Sequence, residues 1–283
     1  MKKYILTLSC PDQGGIVATL SQHLFSCDFN IIESHQFTDQ ITNTFCMRIV
    51  FNEISDNANL KLFSSLVEDT AKNFSIQFNI SDANKKKNIL IMGSLADHCL
   101  LDLLYRIKLN EINADPIAIV SNHNNLANVA EEYKTPYLKI IPNESDAADS
   151  EKSLGRLLEN YNPDLIVLAR YMQIINPRIC DAYEGKIINI HHSFLPAFKG
   201  SSPYEQAYQH GVKLIGATAH FVTSDLDGGP IIAQGVIEVN HSKNESDLKS
   251  MGRDIEKVTL SKAVKLFCED RIFLCEQRTI IFD

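Results

Sequence analysis

Asn189-Ile-His-His-Ser193 places a carboxamide, two imidazoles and a hydroxyl directly behind the apolar run 186–188. A short buried strand that ends in such a cluster, ahead of Pro196 and Gly200, is building something other than core. An amide can donate to an oxyanion, and an imidazole can move protons. A carboxylate to orient the imidazole or a water is offered downstream by Asp227, in the loop Asp225-Leu-Asp-Gly-Gly229. Asn189, His191 and Asp227 are together the parts needed to attack a carbonyl-type carbon. No Ser or Cys sits in a G-x-S-x-G context, so no covalent intermediate is suggested. Each residue also has an ordinary reading. His192, Ser193 and Lys199 serve as loop polarity, and Asp225 and Asp227 ahead of Gly228-Gly-Pro230 fit a turn. Adjacent His191 and His192 are expected on opposite sides of an extended chain, and no H-E-x-x-H pair occurs, so no metal site is expected.

In an open α/β sheet, ligands bind outside the carboxyl ends of the strands. The strand at 164–168 leads into Ala169-Arg-Tyr-Met-Gln-Ile174, the strand at 186–188 into Asn189, and the β-rich run 214–222 into the Asp227 loop. Convergence of those ends would surround Asn189, His191 and Asp227 with an apolar wall of Tyr171, Met172 and Ile174. From residue 88 onward, short apolar runs at 88–92, 116–120, 137–141 and 164–168 alternate with helical patterns at 99–107, from 126 and at 150–161. That alternation predicts a mostly parallel sheet with helices on both faces. Runs at 214–222 and 231–239 add two strands, and 245–275 reads as one long closing helix. Ahead of this, strands at 3–9, 30–37, 44–51 and 74–80 with helices at 16–25 and 60–71 give the order βαββαβ. Residues 83–87 form a polar linker, so the domains are expected at 1–82 and 88–283.

Composition narrows the class. Hydrophobic residues at 45% and charged residues at 22% are those of a globular protein, and no apolar run approaches a membrane span. The apolar start is cut short by Pro11-Asp-Gln13 and reads as a first strand. Seven scattered cysteines without a C-x-x-C pair point to reduced thiols in the cytoplasm. A net charge of −8 argues against nucleic acid, since Lys85-Lys-Lys87 is the one basic run.

Asn189-Ile-His191, Ser193-Phe-Leu-Pro196 and Asp227-Gly-Gly-Pro230, placed 36 positions after His191, resemble the 10-formyltetrahydrofolate-dependent formyltransferase fold. The doubled histidine, Ala169-Arg-Tyr-Met-Gln173, Gly211-Val-Lys-Leu-Ile-Gly-Ala-Thr-Ala-His220 and Met251-Gly-Arg-Asp-Ile-Glu256 narrow the resemblance to the formyltetrahydrofolate deformylase family. Cys10-Pro-Asp-x-x-Gly-Ile16 at the first turn is similar to the ACT domain that begins those enzymes. The resemblance covers nearly the whole chain. It implies an ACT-type, ferredoxin-like domain followed by a Rossmann-like formyltransferase domain that hydrolyses 10-formyltetrahydrofolate to formate and tetrahydrofolate.

By the same resemblance, Asp227 positions or deprotonates water, His191 stabilises and shuttles protons, and Asn189 donates to the formyl oxygen. His220 supports them, or is a buried structural histidine. The folate substrate is implied along Arg170, Tyr171, Met172 and Ile174 and the loop with Thr223, Gly228 and Gly229, with residues 196–200 shaping the wall. His192 receives no chemical step. No cofactor beyond the folate, and no metal, is implied. Asp12, Gly15, Asn30 and Ile31 are candidate contacts for an amino-acid effector between paired ACT modules, and a homo-oligomer is expected. Two departures stand out: Leu95 and Leu101 replace a lysine and an asparagine of the family pattern, and Gly228 stands where deformylases commonly carry Glu. The alternatives are a transformylase acting on glycinamide ribonucleotide and a folate-binding regulator. The first requires a glycine-rich phosphate cradle at a helix N-terminus. Met92-Gly-Ser-Leu-Ala-Asp97 has one glycine and an aspartate that repels phosphate, which favours water as acceptor.

Overall fold

The computed structural model describes residues 2–140, 147–195 and 203–283, so the segment 196–200 lies outside the described residues. The chain divides into two compact units, Met1–Lys85 with Glu269–Asp283, and Lys86–Cys268.

In the first unit the order is β1 (Lys3–Pro11), α1 (Ile16–Ser26), β2 (Phe29–Asp39), β3 (Thr44–Glu53), α2 (Leu60–Phe74) and β4 (Gln77–Asp82). The helical spacing that ends at 71 continues to Phe74, so the last strand begins later than the expected 74. All pairings in the sheet, ordered β2-β3-β1-β4, are antiparallel. Strand alternation sorts the side chains. Tyr4, Leu6 and Leu8 with Phe45, Met47, Ile49 and Phe51 face a core shared with Leu20 and Leu24 of α1 and Phe63 and Val67 of α2. The out-of-phase residues of β3, Cys46 and Arg48, are buried as well.

The cover over Cys46 explains a departure from the sequence reading. The final helix does not run to 275. It ends at Cys268, Asp270 takes a left-handed φ of 52°, and Ile272–Cys275 pairs with Arg278–Ile281 as a hairpin. Phe273, Cys275 and Phe282 of this segment pack on Cys46. Buried Arg48 donates to the Glu269 carbonyl at 3.1 and 3.0 Å and to Glu33 at 3.2 Å. The second domain therefore stops at 268 rather than 283, because the closing segment folds onto the first unit.

The second unit contains β5 (Lys87–Gly93), α3 (His98–Lys108), β6 (Ala114–Ser121), α4 (Ala127–Glu132), β7 (Tyr137–Lys139), α5 (Ala147–Tyr161), β8 (Leu165–Ala169), α6 (Pro177–Ala182), β9 (Ile187–His191), α7 (Pro203–Gln209), β10 (Leu214–Phe221), β11 (Ile231–Glu238) and α8 (Glu245–Cys268). Its seven strands are ordered β11-β10-β9-β8-β5-β6-β7. The five from β9 to β7 are parallel, while β10 and β11 run antiparallel. The parallel strands read as unbroken apolar runs because both faces are covered; every residue of β8 is buried. Helices α6 and α7 were not apparent in the sequence pattern. No described helix is long and apolar enough to cross a membrane.

Candidate active site

Strand β9 carries Asn189 and His191 two residues apart, hence on one face of the sheet. The strand thus extends three residues beyond the apolar run that marks it in sequence. On antiparallel β10, His220 lies directly opposite Asn189 and joins the same face. Arg170 follows β8, whose Leu168 pairs with Asn189. The expected meeting of three carboxyl ends holds for β8 and β9 but not for β10, which points the other way. Asp227 arrives because the β10–β11 loop folds back along the strand. Gly229 permits this turn: a Cβ there would stand 1.9 Å from the Phe221 carbonyl oxygen. Asp227 itself holds a left-handed φ of 51°.

The contacts define protonation states. His191 Nδ1 donates to Asp227 Oδ2 at 3.2 Å, while its Nε2 is buried without a hydrogen-bond partner. Asp227 is held below the usual carboxylate range, first by the His191 hydrogen bond and then, against the cost of burial, by the surrounding imidazoles. His220 Nδ1 donates to the Phe221 carbonyl at 2.8 Å, and its Nε2 accepts from Asn189 Nδ2 at 3.3 Å. Burial lowers the His220 pKa, which favours this neutral form. The Asn189 amide is thereby turned by a fixed neighbour, with one N–H still unspent. Asp227 Oδ1 lies 3.7 Å from His220 Nε2, outside hydrogen-bond range. Below His191, Thr218 Oγ1 donates to the Ser193 carbonyl at 2.9 Å and accepts from Leu195 N at 3.1 Å, anchoring the chain that leaves β9.

These groups open into a cavity of about 750 Å³, a size typical of sites for mid-sized organic ligands. Arg170, Tyr171, Met172, Ile174 and Thr223 line it, and Arg170 Nε and Nη1 are buried without a hydrogen-bond partner. Met172 and Ile174 are 59% and 78% exposed, an apolar mouth suited to covering a planar ring. Gly228 and Gly229 do not line the cavity; they shape the loop, where Gly228 N donates to the Asp225 carbonyl. Leu95 is exposed.

His192 overturns its expected placement. β9 ends at His191, so strand alternation no longer separates the two rings. They stand 5.2 Å apart and both line the cavity. Burial, followed by the Arg170 charge, pushes the His192 pKa down to about 4, so the ring is neutral.

Sequence reasoning missed His98, Tyr204 and Glu256. Glu256 Oε2 accepts from His98 Nε2 at 2.8 Å, Oε1 accepts from Tyr204 Oη at 2.5 Å, and Arg170 Nε lies 3.5 Å away. Burial alone would raise this carboxyl, but His98, Arg170 and Tyr204 together hold it below the usual range. Lys249, Arg253 and Glu256, spaced i, i+4, i+7 on α8, all line the cavity. That charged stripe was the available signal. His98, Cys99 and Glu256 also bring three metal-type donors within 4.8 Å. Burial pushes the Cys99 thiol far up, and the Arg170 cation neighbours the carboxylate, so the donor set suits an internal ion cluster better than a metal.

The candidate effector residues divide. Pro11 is level with Thr44 and Asp39 at one end of the first unit's sheet, and Lys3 with Asn52 and Asn30 at the other. Asp12 and Gly15 are thus roughly 25 Å from Asn30 and Ile31 in one chain, at ~3.3 Å per residue. Asp12 accepts from Thr38 Oγ1 at 3.0 Å.

Residues 87–264 match the family model described as formyl transferase. A formyltetrahydrofolate deformylase of Bacillus subtilis is 42% identical over 279 residues, 98% of this chain and 93% of that one. The chain belongs to the formyltetrahydrofolate deformylase family. The crystal structure of a formyltetrahydrofolate deformylase from Burkholderia mallei superposes with a TM-score of 0.95 at 41% identity, covering 100% of both chains. A glycinamide ribonucleotide transformylase from Symbiobacterium toebii is more distant, with a TM-score of 0.66, 28% identity and coverage of 72% of this chain and 98% of that one. The likeness to the deformylases covers 98–100% of this chain, and that to this transformylase 72%.

Proposed function

We propose that the chain hydrolyses 10-formyltetrahydrofolate to formate and tetrahydrofolate. The observation that carries this reading is the Asp227–His191 pair, opening onto the cavity beside Asn189 with His191 Nε2 unpartnered. With Nδ1–H committed to Asp227, Nε2 holds the lone pair. A water bonded to Nε2 gives up a proton to it and attacks the formyl carbon, while Asp227 holds the ring and steadies the imidazolium that forms. The spare N–H of Asn189 receives the developing oxyanion, an interaction worth ~3 kcal/mol in comparable sites. The carbon–N10 bond then breaks, N10 takes the proton from the His191 imidazolium, and the formic acid formed gives its proton to solvent and leaves as formate. Tyr171, Met172, Ile174 and Thr223 hold the folate.

The neighbouring chemistry is one-carbon supply: formate released here feeds purine biosynthesis and balances folate pools. The odd, scattered cysteines fit a cytoplasmic setting. We read the βαββαβ unit as an ACT-type module that supports a homo-oligomer. An amino-acid effector touching both Asp12 and Asn30 would require two chains. The test of the central reading is purified protein given 10-formyltetrahydrofolate alone. Tetrahydrofolate is expected to accumulate; its appearance only after glycinamide ribonucleotide is added would overturn the hydrolase reading.

A further inference from the structure

One carboxylate in the cavity takes no part in that hydrolysis. Glu256 sits within α8 at 1% exposure, a costly place for a charge unless it is paired. Its partners come from three other elements: His98 begins α3, Tyr204 lies on α7, and Arg170 follows β8. Gly252, one turn earlier on α8, leaves the room this requires, since a Cβ there would lie 2.1 Å from Tyr204 Oη. His192 joins the cluster to the reaction centre, its ring 6.0 Å from that of Tyr204 and 5.2 Å from that of His191. The cavity therefore has an apolar side, with Tyr171, Met172 and Ile174, and a polar side gathered around Glu256, where Arg170 Nε and Nη1 stay without a hydrogen-bond partner.

We propose that Glu256 is a positioning residue that makes water the sole acceptor, by drawing His98, Tyr204 and Arg170 into the side of the cavity a larger nucleophile would need. The inference rests on the hydrolase reading above. A phosphorylated acceptor would seek the N-terminus of α3, as anions do at helix starts. There it meets His98 already bonded to Glu256, and a buried negative charge behind it. An uncharged amine needs volume, which Tyr204 and Arg170 occupy. Water needs neither an anchor nor that volume.

The test supplies 10-formyltetrahydrofolate together with glycinamide as the amine probe. Transfer to it forms a bond between the amine nitrogen and the formyl carbon, breaks the carbon–N10 bond and moves an amine proton to N10, giving N-formylglycinamide. Wild type is expected to yield formate alone. Glu256→Ala is expected to release formate at least about tenfold more slowly. It should also divert a measurable share of formyl groups to glycinamide. Glu256→Gln, which keeps volume but loses charge, and Tyr204→Phe, which loses one contact, should show smaller diversion. Should Glu256→Ala not fold, those two variants decide. A product ratio equal to wild type in the folded variants overturns the proposal, because a merely structural role would slow the reaction without changing the acceptor. Wild type that forms no formate without an amine would instead overturn the underlying reading.

Discussion

Asp227 and Glu256 line the same cavity, and each accepts a hydrogen bond from a histidine, at 3.2 Å from His191 and 2.8 Å from His98. Both carboxyls are held below the usual range. What separates them is how far their bonding capacity is used. Glu256 is fixed within a helix, its side chain 2% exposed and met from three directions. Asp227 sits on a folded-back loop, 13% exposed, with one oxygen outside hydrogen-bond range of His220 and a histidine partner whose other nitrogen is unpaired. A saturated buried carboxylate stabilises its surroundings, whereas an unsaturated one beside a cavity has capacity left for a substrate or a water. The same two residue types are thus directed to structure in one place and to chemistry in the other.

This contrast is open to direct attack. The largest effect is expected from Asp227→Asn: turnover should fall roughly 10³–10⁴-fold, because the amide no longer fixes the His191 tautomer. Folate binding and unfolding free energy should change little; unchanged turnover would remove Asp227 from the mechanism. Glu256→Ala should cost about 3–5 kcal/mol of stability in a denaturant titration, by leaving Arg170 and His98 without their anion. A loss below ~1 kcal/mol would mean that these contacts contribute little to the fold. Asn189→Ala should lower kcat by about 10²-fold with little change in KM, as expected for a donor used in the transition state. A change confined to KM would make Asn189 a binding residue.

The pH dependence probes the ring between the two carboxylates. His192 has its pKa lowered from the ordinary 6.5 to about 4. Between those values the unfolded chain takes up a proton that the folded chain refuses, so stability should fall as pH drops through that window. The full loss is on the order of 3 kcal/mol. In His192→Gln the fall between pH 6.5 and 4 should shrink; an identical profile would mean the ring is not buried as described. Smallest is Tyr204→Phe, which removes one hydrogen bond to Glu256 and should lower stability by about 1–2 kcal/mol in thermal unfolding.

Asn189 and His191 were legible in sequence because a strand places alternate residues on one face, and polar residues behind an apolar run reveal that face. Asp227 was legible through its Asp-Gly-Gly-Pro setting, though not the antiparallel course of β10 that makes its loop fold back. His192 was misplaced because the end of β9 depends on pairing with β10, which local sequence does not contain. Glu256 lay within a motif visible from the start, yet its role depends on His98, Arg170 and Tyr204, 158, 86 and 52 positions away in sequence. The closing hairpin was hidden for a similar reason: the apolar run after Cys268 fits a helix until Asp270 and Glu276 take left-handed conformations and Phe273 and Phe282 find Cys46. The βαββαβ order and the mostly parallel sheet needed no such distant partner, since periodicity and turn residues specify each element locally.

The central claim is that water attacks the formyl carbon in the Asp227–His191–Asn189 site. A single turnover of 10-formyltetrahydrofolate in water enriched in oxygen-18, with no amine present and the formate analysed by mass spectrometry, tests it most directly. One heavy oxygen per formate, at the enrichment of the solvent and lost together with activity in Asp227→Asn, is the predicted result; formate without the label, or no formate from the wild-type protein, would contradict it.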